Sequence, residues 1–404
     1  MDSSGRAVDE LSPVPRPAQG SGRVRHAFGT IGDMPDAAPY DAGPVVALRR
    51  IAFLLERSRA ETYKVKAFRA AAATVLPLDP ADLAARVREG TLRDLPGVGA
   101  STAEVIEAAV EGRIPTRLAR LEQEVGGPLV DGGDGVRAAL RGDLHAHSDW
   151  SDGGSPIEEM AFTAMELGHD YLVLTDHSPR LKVANGLSVA RLQRQLEVVD
   201  AVNEHLAPSG DRASSSGDRA ESSGDRASSR FRLLKGIEVD ILDDGSLDQT
   251  EEMLARLDVR VASVHSKLAM DKDAMTRRMT TAVANPFTNV LGHCTGRLVT
   301  GNRGTRAQSQ FDARAVFEAC VEHDVAVEIN ARPERRDPPT ALLRLAIDTG
   351  CLFSIDSDAH APGQLDFQVY GCARAEEVGL DPDRIVNTWP TDRLLSWASG
   401  GGRG

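Results

Sequence analysis

The chain has 404 residues, 41 % hydrophobic but only 4 % aromatic, and its 47 Lys and Arg against 60 Asp and Glu leave a net charge of −13. That length allows two or three domains. The acid excess excludes a wholly basic nucleic-acid sleeve, yet leaves room for a local basic patch or for metal sites, which need carboxylates.

No run reaches the ~20 apolar residues that cross a bilayer, and the N-terminus lacks the apolar core of a secretory signal. Four scattered cysteines (Cys294, Cys320, Cys351, Cys372) form no CxxC. Neither a disulfide framework nor a zinc knuckle is indicated, and a cytoplasmic location is expected. Residues 1–43, rich in Pro, Gly, Ser and Asp without apolar periodicity, read as a disordered tail. From position 44 to 127, VVALRRIAFLLERS and YKVKAFRAAAATVL repeat apolar residues at spacings of three and four, the mark of amphipathic helices. The Gly-rich stretch 128–140 reads as a linker.

Residues 141–398 change rhythm. Short apolar strands are expected at Asp143–His145, Tyr171–Thr175, Leu233–Glu238, Val259–Val264, Asn289–Gly292, Val325–Ile329 and Leu352–Ile355. Helical stretches such as PIEEMAFTAMELG and DARAVFEACVEH lie between most of them. Such alternation over about 250 residues indicates an α/β fold, a parallel barrel or sheet. Three tandem polar heptads at Ser209–Ser229 read as a low-complexity surface loop spanning 207–230.

The chemistry gathers at the strand ends. The first gives His145 and His147, then Asp152; the second His177; the third Glu238; the fourth His265; the fifth His293; the seventh Asp358 and His360. In a parallel barrel the carboxyl ends converge on one face. Six of the ten histidines would then meet in one bowl with three carboxylates. One zinc ion takes about four ligands, so nine candidates imply a polynuclear site. Imidazole and carboxylate suit zinc, manganese or iron.

The segments DLHAHSDWSDG, TDHS, GIEVDI, SVHS, GHCTGRL and DSDAH resemble the PHP (polymerase and histidinol phosphatase) superfamily. GHCTGRL, VEINARPERRDPP and RIVNTWPTDRLLSW favour the PHP domain of bacterial family X DNA polymerases. The resemblance implies a distorted (β/α)7 barrel and three divalent ions, Mn2+ or Zn2+, with Fe2+ also compatible. One would be held by His145, His147, Glu238 and Asp358; a second by Glu238, His265 and His293; the third by Asp152, His177 and His360. Closely spaced ions lower the pKa of water and neutralise phosphate oxygens, so hydroxide attack on phosphorus is expected, with Glu238 central to catalysis. Arg297 is the candidate phosphate clamp, because guanidinium binds phosphate bidentately; Arg332 and Arg335 are weaker candidates. Asp176 is a candidate for orienting a ligand.

Leu95-Pro96-Gly97-Val98-Gly99 and the helical run from Ser101 read as a helix–hairpin–helix, whose glycines and amides can receive a DNA phosphate without reading sequence. This all-α unit resembles the small N-terminal domain of family X polymerases. Seven basic residues (Arg49, Arg50, Arg57, Arg59, Lys64, Lys66, Arg69) lie there against two acids, and Lys64, Lys66 and Arg69 are candidate backbone contacts. The family's imine-forming lysine matches Val105, and another of its lysines Ser101, so lyase chemistry by that route is not expected. Only about fifteen residues join the two regions, with no Gly-Ser and Asp-x-Asp of a polymerase palm.

The leading expectation is therefore a metal-dependent phosphodiesterase acting on DNA in repair, a 3′–5′ exonuclease or an abasic-site or 3′-end processing enzyme, and not a polymerase. No organic cofactor and no membrane partner are expected. The alternative is a phosphomonoesterase of the histidinol-phosphate kind, and a non-catalytic DNA-binding accessory protein is a third reading. From Pro44 to Val125 the net charge is +2 and elsewhere −15, so the acid excess lies outside the presumptive DNA-binding head.

Overall fold

A computed structural model describes residues 40–206, 231–301 and 304–400. The tail before Tyr40 and the heptad loop at 207–230 lie outside the described residues.

The first five helices are α1 (Gly43–Arg57), α2 (Thr62–Val75), α3 (Pro80–Glu89), α4 (Ala100–Val110) and α5 (Thr116–Val125). They bury one apolar core built on Leu48, Ile51, Leu54, Phe68, Ile106, Leu118 and Leu121. Local sequence sets their ends. The Asp79 carboxylate accepts the Ala81 N–H at 2.8 Å and Pro80 fills the first turn of α3, while Gly90 ends it in the left-handed region. The expected hairpin lies between α3 and α4. Gly97 has φ +75°, with Ala70 Cβ 3.4 Å from where its own Cβ would stand, so α2 packs directly beneath it. Thr74 Oγ1 donates to the Pro96 carbonyl at 2.8 Å, fastening the turn.

Seven parallel strands follow in sequence order: β1 (Gly142–Ala146), β2 (Tyr171–Leu174), β3 (Arg232–Asp240), β4 (Val259–Ser263), β5 (Val290–Leu291), β6 (Ala326–Asn330) and β7 (Phe353–Asp356). Every adjacent pair is parallel. Helices α6 (Asp134–Ala139), α7 (Ile157–Glu166), α8 (Val189–His205), α9 (Glu251–Leu254), α10 (Lys272–Val283), α11 (Ala313–Glu322), α12 (Thr340–Thr349), α13 (Gln368–Glu377) and α14 (Thr391–Ala398) accompany them. The sheet curls into a nearly closed (β/α)7 barrel. At the seam between β1 and β7, side chains stand in for ladder bonds: Asp356 Oδ1 accepts the Leu144 N–H at 3.0 Å and Asp143 Oδ1 accepts that of Ser357 at 3.2 Å. A single bridge joins Ala146 to Ala359 beyond them.

Two expected boundaries shift. Tyr40 already donates its N–H to the Gly112 carbonyl at 2.8 Å, so the helical region takes in residues before position 43. The stretch expected as a linker holds α6, whose Val136 is buried along with the following Leu140. Gly133 presses on Ala373 with φ +83°, a contact no side chain would permit; glycine there serves close approach rather than looseness.

The helical region is clamped to the barrel by charge. Arg57 pairs with Asp366 at 2.6 Å, both buried. Arg69 bridges Glu56 at 2.8 Å and Glu159 at 2.9 Å, and Arg49 also reaches Glu159. Glu56 in turn accepts the Gly363 N–H at 2.7 Å, only three residues beyond His360.

Candidate metal centre

All nine candidate ligands stand on or just beyond the carboxyl ends of strands. Alternation along a strand explains the placement, since residues two apart share a face. His145 and His147 follow that rule at the end of β1, Glu238 and Asp240 at the end of β3, and Glu328 and Asn330 at the end of β6.

Glu238 is the hub. Its Oε2 lies 3.3 Å from His145 Nε2, 3.5 Å from His147 Nε2 and 2.9 Å from His177 Nδ1. Its Oε1 lies 3.1 Å from His265 Nε2 and 2.8 Å from His293 Nε2. Asp358 Oδ1 stands 3.5 Å from His147 Nε2, and Asp152 Oδ1 lies 3.4 and 3.3 Å from Nε2 of His177 and of His360. Three groups offer ligand atoms within 4.8 Å of one another: His147, Asp152, His177 and His360; His145, His147 and Asp358; His177, Glu238 and His265. His147 and His177 each belong to two groups, which differs from the tidy partition expected from sequence.

The residues fit metal ions by a direct test. His145 Nε2, both ring nitrogens of His147 and of His265, His177 Nδ1 and His293 Nδ1 are buried without a hydrogen-bond partner. Several lie near a carboxylate oxygen, but at angles that make no hydrogen bond. Buried polar atoms left so are rare, and a bound ion is what satisfies lone pairs aimed at one point.

Electrostatics agree. Burial acts to raise Glu238, but His265, His145 and His177 pull it well below the usual carboxylate range. Burial acts likewise on Asp358, where Arg332, His145, His147 and Arg335 hold it well below. Burial and then the neighbouring His360 and His177 push His147 down to about 3, keeping it neutral and able to ligate. For His177, burial is outweighed by Glu238 and Asp152, which raise it to about 10. Such strongly perturbed groups collected in one bowl mark a functional site.

The sequence reading missed the residues that hold the ligands. Glu328 Oε1 lies 2.6 Å from His145 Nδ1 and its other oxygen accepts the His293 N–H. Asn330 Nδ2 donates to Glu328 at 3.2 Å and to Asp358 at 3.0 Å, and Asp240 accepts the His265 N–H at 3.2 Å. The signal was the same two-residue spacing that revealed His145 and His147. Asp176 lies under the loop after β1 rather than beside a ligand ring: it accepts from Ser148 N and Oγ at 2.9 and 2.6 Å, from Ser151, and from Gln195 at 2.5 Å.

The Arg297 guanidinium, the expected phosphate clamp, donates Nε and Nη2 to the carbonyls of Arg335, at 3.1 Å, and Arg336, so it also fastens that loop. The two weaker candidates stand at the centre. Arg335 Nε is 3.1 Å from Asp358 Oδ2, and Arg332 Nη1 is 2.9 Å from His360 Nδ1.

In the helical region, Gly97, Gly99 and Ser101 are exposed, Leu95 is half-buried, and Val98 is turned into the core. Lys64 and Lys66 are exposed. The Arg69 guanidinium, a candidate backbone contact, is engaged by Glu56 and Glu159. Arg49, Arg50, Arg57, Arg59 and Lys64 are likewise paired, with Glu159, Glu122, Asp366, Glu334 and Glu61. Among the described residues, Lys66 alone of the seven has no ion pair. No described helix is long and apolar enough to cross a membrane.

Comparison with known proteins places this geometry. The PHP domain family matches residues 143–332, a span holding seven of the nine candidate ligands. The chain is 35 % identical over 248 residues to the DNA polymerase/3′–5′ exonuclease PolX of Bacillus subtilis, covering 61 % of this chain but 39 % of that protein. It is 30 % identical over 167 residues to a probable phosphatase of Tolumonas auensis, covering 39 % of this chain and 64 % of that one. A solved histidinol phosphate phosphatase of Lactococcus lactis, 15 % identical, aligns with a TM-score of 0.40 over 60 % of this chain and 95 % of its own. The chain thus spans less than two thirds of the length of either curated relative. Residues 143–332, from the first barrel strand through the sixth, are what matches the PHP domain.

Proposed function

We propose that the chain is a metal-dependent phosphodiesterase that acts on DNA, as a 3′–5′ exonuclease or in processing abasic sites or 3′ ends, with three divalent ions. The observation that carries the phosphoesterase reading is the bowl of buried, unpartnered imidazole nitrogens around Glu238. The hairpin held to the same barrel supports the choice of DNA, as does the similarity to a protein named for 3′–5′ exonuclease activity.

When bound, closely spaced divalent ions neutralise phosphate oxygens and lower the pKa of water in the site. The chain's own residues do the rest. Glu238, Asp358 and Asp152 supply the negative charge that gathers cations. Glu328 accepts a hydrogen bond from His145 Nδ1–H, which leaves Nε2 facing Glu238 with its lone pair. Arg335 holds Asp358 in place through Nε. No side-chain nucleophile is required.

One observation favours a second reading, a small-molecule phosphomonoesterase. Six of the seven basic residues of α1 and α2 and the turn between them are engaged in ion pairs, which leaves a weak electrostatic footprint for DNA. Purified chain with Mn2+ or Zn2+ would be given 3′-labelled DNA, abasic DNA and histidinol phosphate, beside a His145→Ala, His147→Ala control. Cleavage of DNA by the intact chain alone is expected. Hydrolysis of histidinol phosphate with DNA left whole would select the second reading.

A further inference from the structure

His360 carries a conflict that its neighbours resolve in one way. Its Nδ1 lies 2.9 Å from Arg332 Nη1 and 2.9 Å from the Asp358 carbonyl oxygen. Arginine only donates and a carbonyl only accepts. One ring nitrogen cannot accept from the first and donate to the second. If Arg332 keeps its bond, the ring proton sits on Nε2, which then points at Asp152 Oδ1, 3.3 Å away, as a donor. That tautomer cannot ligate. If His360 is to hold an ion through Nε2 together with Asp152 and His177, the proton must move to Nδ1 and bond the Asp358 carbonyl. Arg332 then faces an N–H and loses that acceptor, keeping only the longer bond from Nη1 to the Asp358 carbonyl at 3.3 Å.

The structure provides the place it turns on. Glu334 Oε2 is buried, lacks a hydrogen bond, and lies 3.8 Å from Arg332 Nε, while Glu334 Oε1 is fixed by Arg59 at 3.0 Å from the helical region. A guanidinium released from His360 can close on Glu334 through Nε and still present its two terminal nitrogens to the bowl. Its side chain is 23 % exposed, so it borders the open mouth rather than the core.

We infer that Arg332 is an exchangeable cation of the site: it competes with an ion for His360, and an ion held by the Asp152–His177–His360 position frees it to clasp a phosphate oxygen of the substrate. The choice of phosphate as ligand rests on the phosphoester reading above. The arrangement makes two demands of opposite sign. Arg332 opposes the ion, by holding the ring nitrogen's lone pair and by its own positive charge, and it favours the phosphate. A side chain that merely held the loop would favour both.

Chelator-stripped chain would be titrated with Zn2+ and with Mn2+ by calorimetry and native mass spectrometry. Ion-loaded chain would then be titrated with inorganic phosphate. In Arg332→Ala the weakest-bound ion should bind tighter by about tenfold and phosphate weaker by about tenfold, the scale of one hydrogen bond to a charged group. Arg332→Lys, which keeps the charge but not the fork, should fall between. Arg332→Gln gives the same two readings should the alanine variant not fold. An ion affinity that is unchanged or weaker in these variants overturns the competition, and an unchanged phosphate affinity overturns the clamp. Neither readout needs turnover, so a chain that hydrolyses no DNA refutes the proposed function and leaves this inference to stand or fall by itself.

Discussion

The two halves of the molecule treat their charged and polar side chains in opposite ways. In the helical half, cations expected to reach outward are bound inward. Arg57 meets the distant Asp366, and Arg69 meets the nearby Glu56 and the distant Glu159. At the barrel's rim, buried polar groups are left unsatisfied by one another. Seven buried imidazole nitrogens there lack a hydrogen-bond partner. Buried pairs of opposite charge close a surface, whereas buried lone pairs without a partner suit a cation. A charge count from sequence cannot see that difference, because it depends on which partner each group finds.

The contrast can be broken at its largest effect first. Replacing Glu238 by Gln removes the carboxylate shared by five histidines, and metal content and phosphoesterase activity should both fall by more than about a hundredfold, since losing even an outer-shell partner costs 10–100-fold. Metal analysis beside a phosphodiester assay checks this, and a variant with full metal content would show that Glu238 is not the hub. On the other side of the comparison, Arg57→Ala leaves Asp366 buried without its partner. It should lower stability by about 3–5 kcal/mol in a denaturant titration. A loss under about 1 kcal/mol, the range of exposed pairs, would mean that the clamp is ornamental.

Next in size is Glu328→Gln. It keeps the shape but weakens the acceptor for His145 Nδ1, and ion affinity should fall by roughly 10–100-fold with little change in the melting temperature. An unchanged affinity would remove Glu328 from the account.

Glu328 also illustrates what the sequence made legible. The seven strands were readable because short apolar runs between helical stretches leave few alternatives. The ligands were readable because a histidine or acid at one strand end after another is improbable by chance. Glu328 and Asp240 carried the same two-residue signal, but acids are common enough that one near a strand end draws no notice. Arg297 ranked above Arg332 on its motif alone. Which of them faces His360 depends on the path of the loop after β6, and no local pattern encodes that path. The partner of Arg57 lay 309 positions away, beyond the reach of any periodicity.

A smaller effect tests the barrel away from the bowl. His169 is buried beside Arg137, and burial followed by that charge lowers it well below 6.5. Its folded pKa lies below its unfolded one, so its contribution is present above about pH 6.5 and is lost as pH falls below that value. Stability of the intact chain should therefore decline more steeply below pH 6.5 than that of His169→Asn. Parallel pH profiles would contradict the assignment. The smallest expected change is Lys66→Ala, which should weaken DNA binding by only a fewfold and reduce its salt dependence by about one released counterion. A large loss would mean that the helical half keeps far more free charge than its ion pairs allow.

The central claim is that the bowl around Glu238 is built for divalent ions. Crystals grown with Mn2+ or Zn2+ and measured across the metal's absorption edge test it most directly. The account predicts anomalous peaks, three per chain, each among the nine side chains from His145 to His360. An empty bowl at saturating metal, with its histidines satisfied by one another, would contradict it.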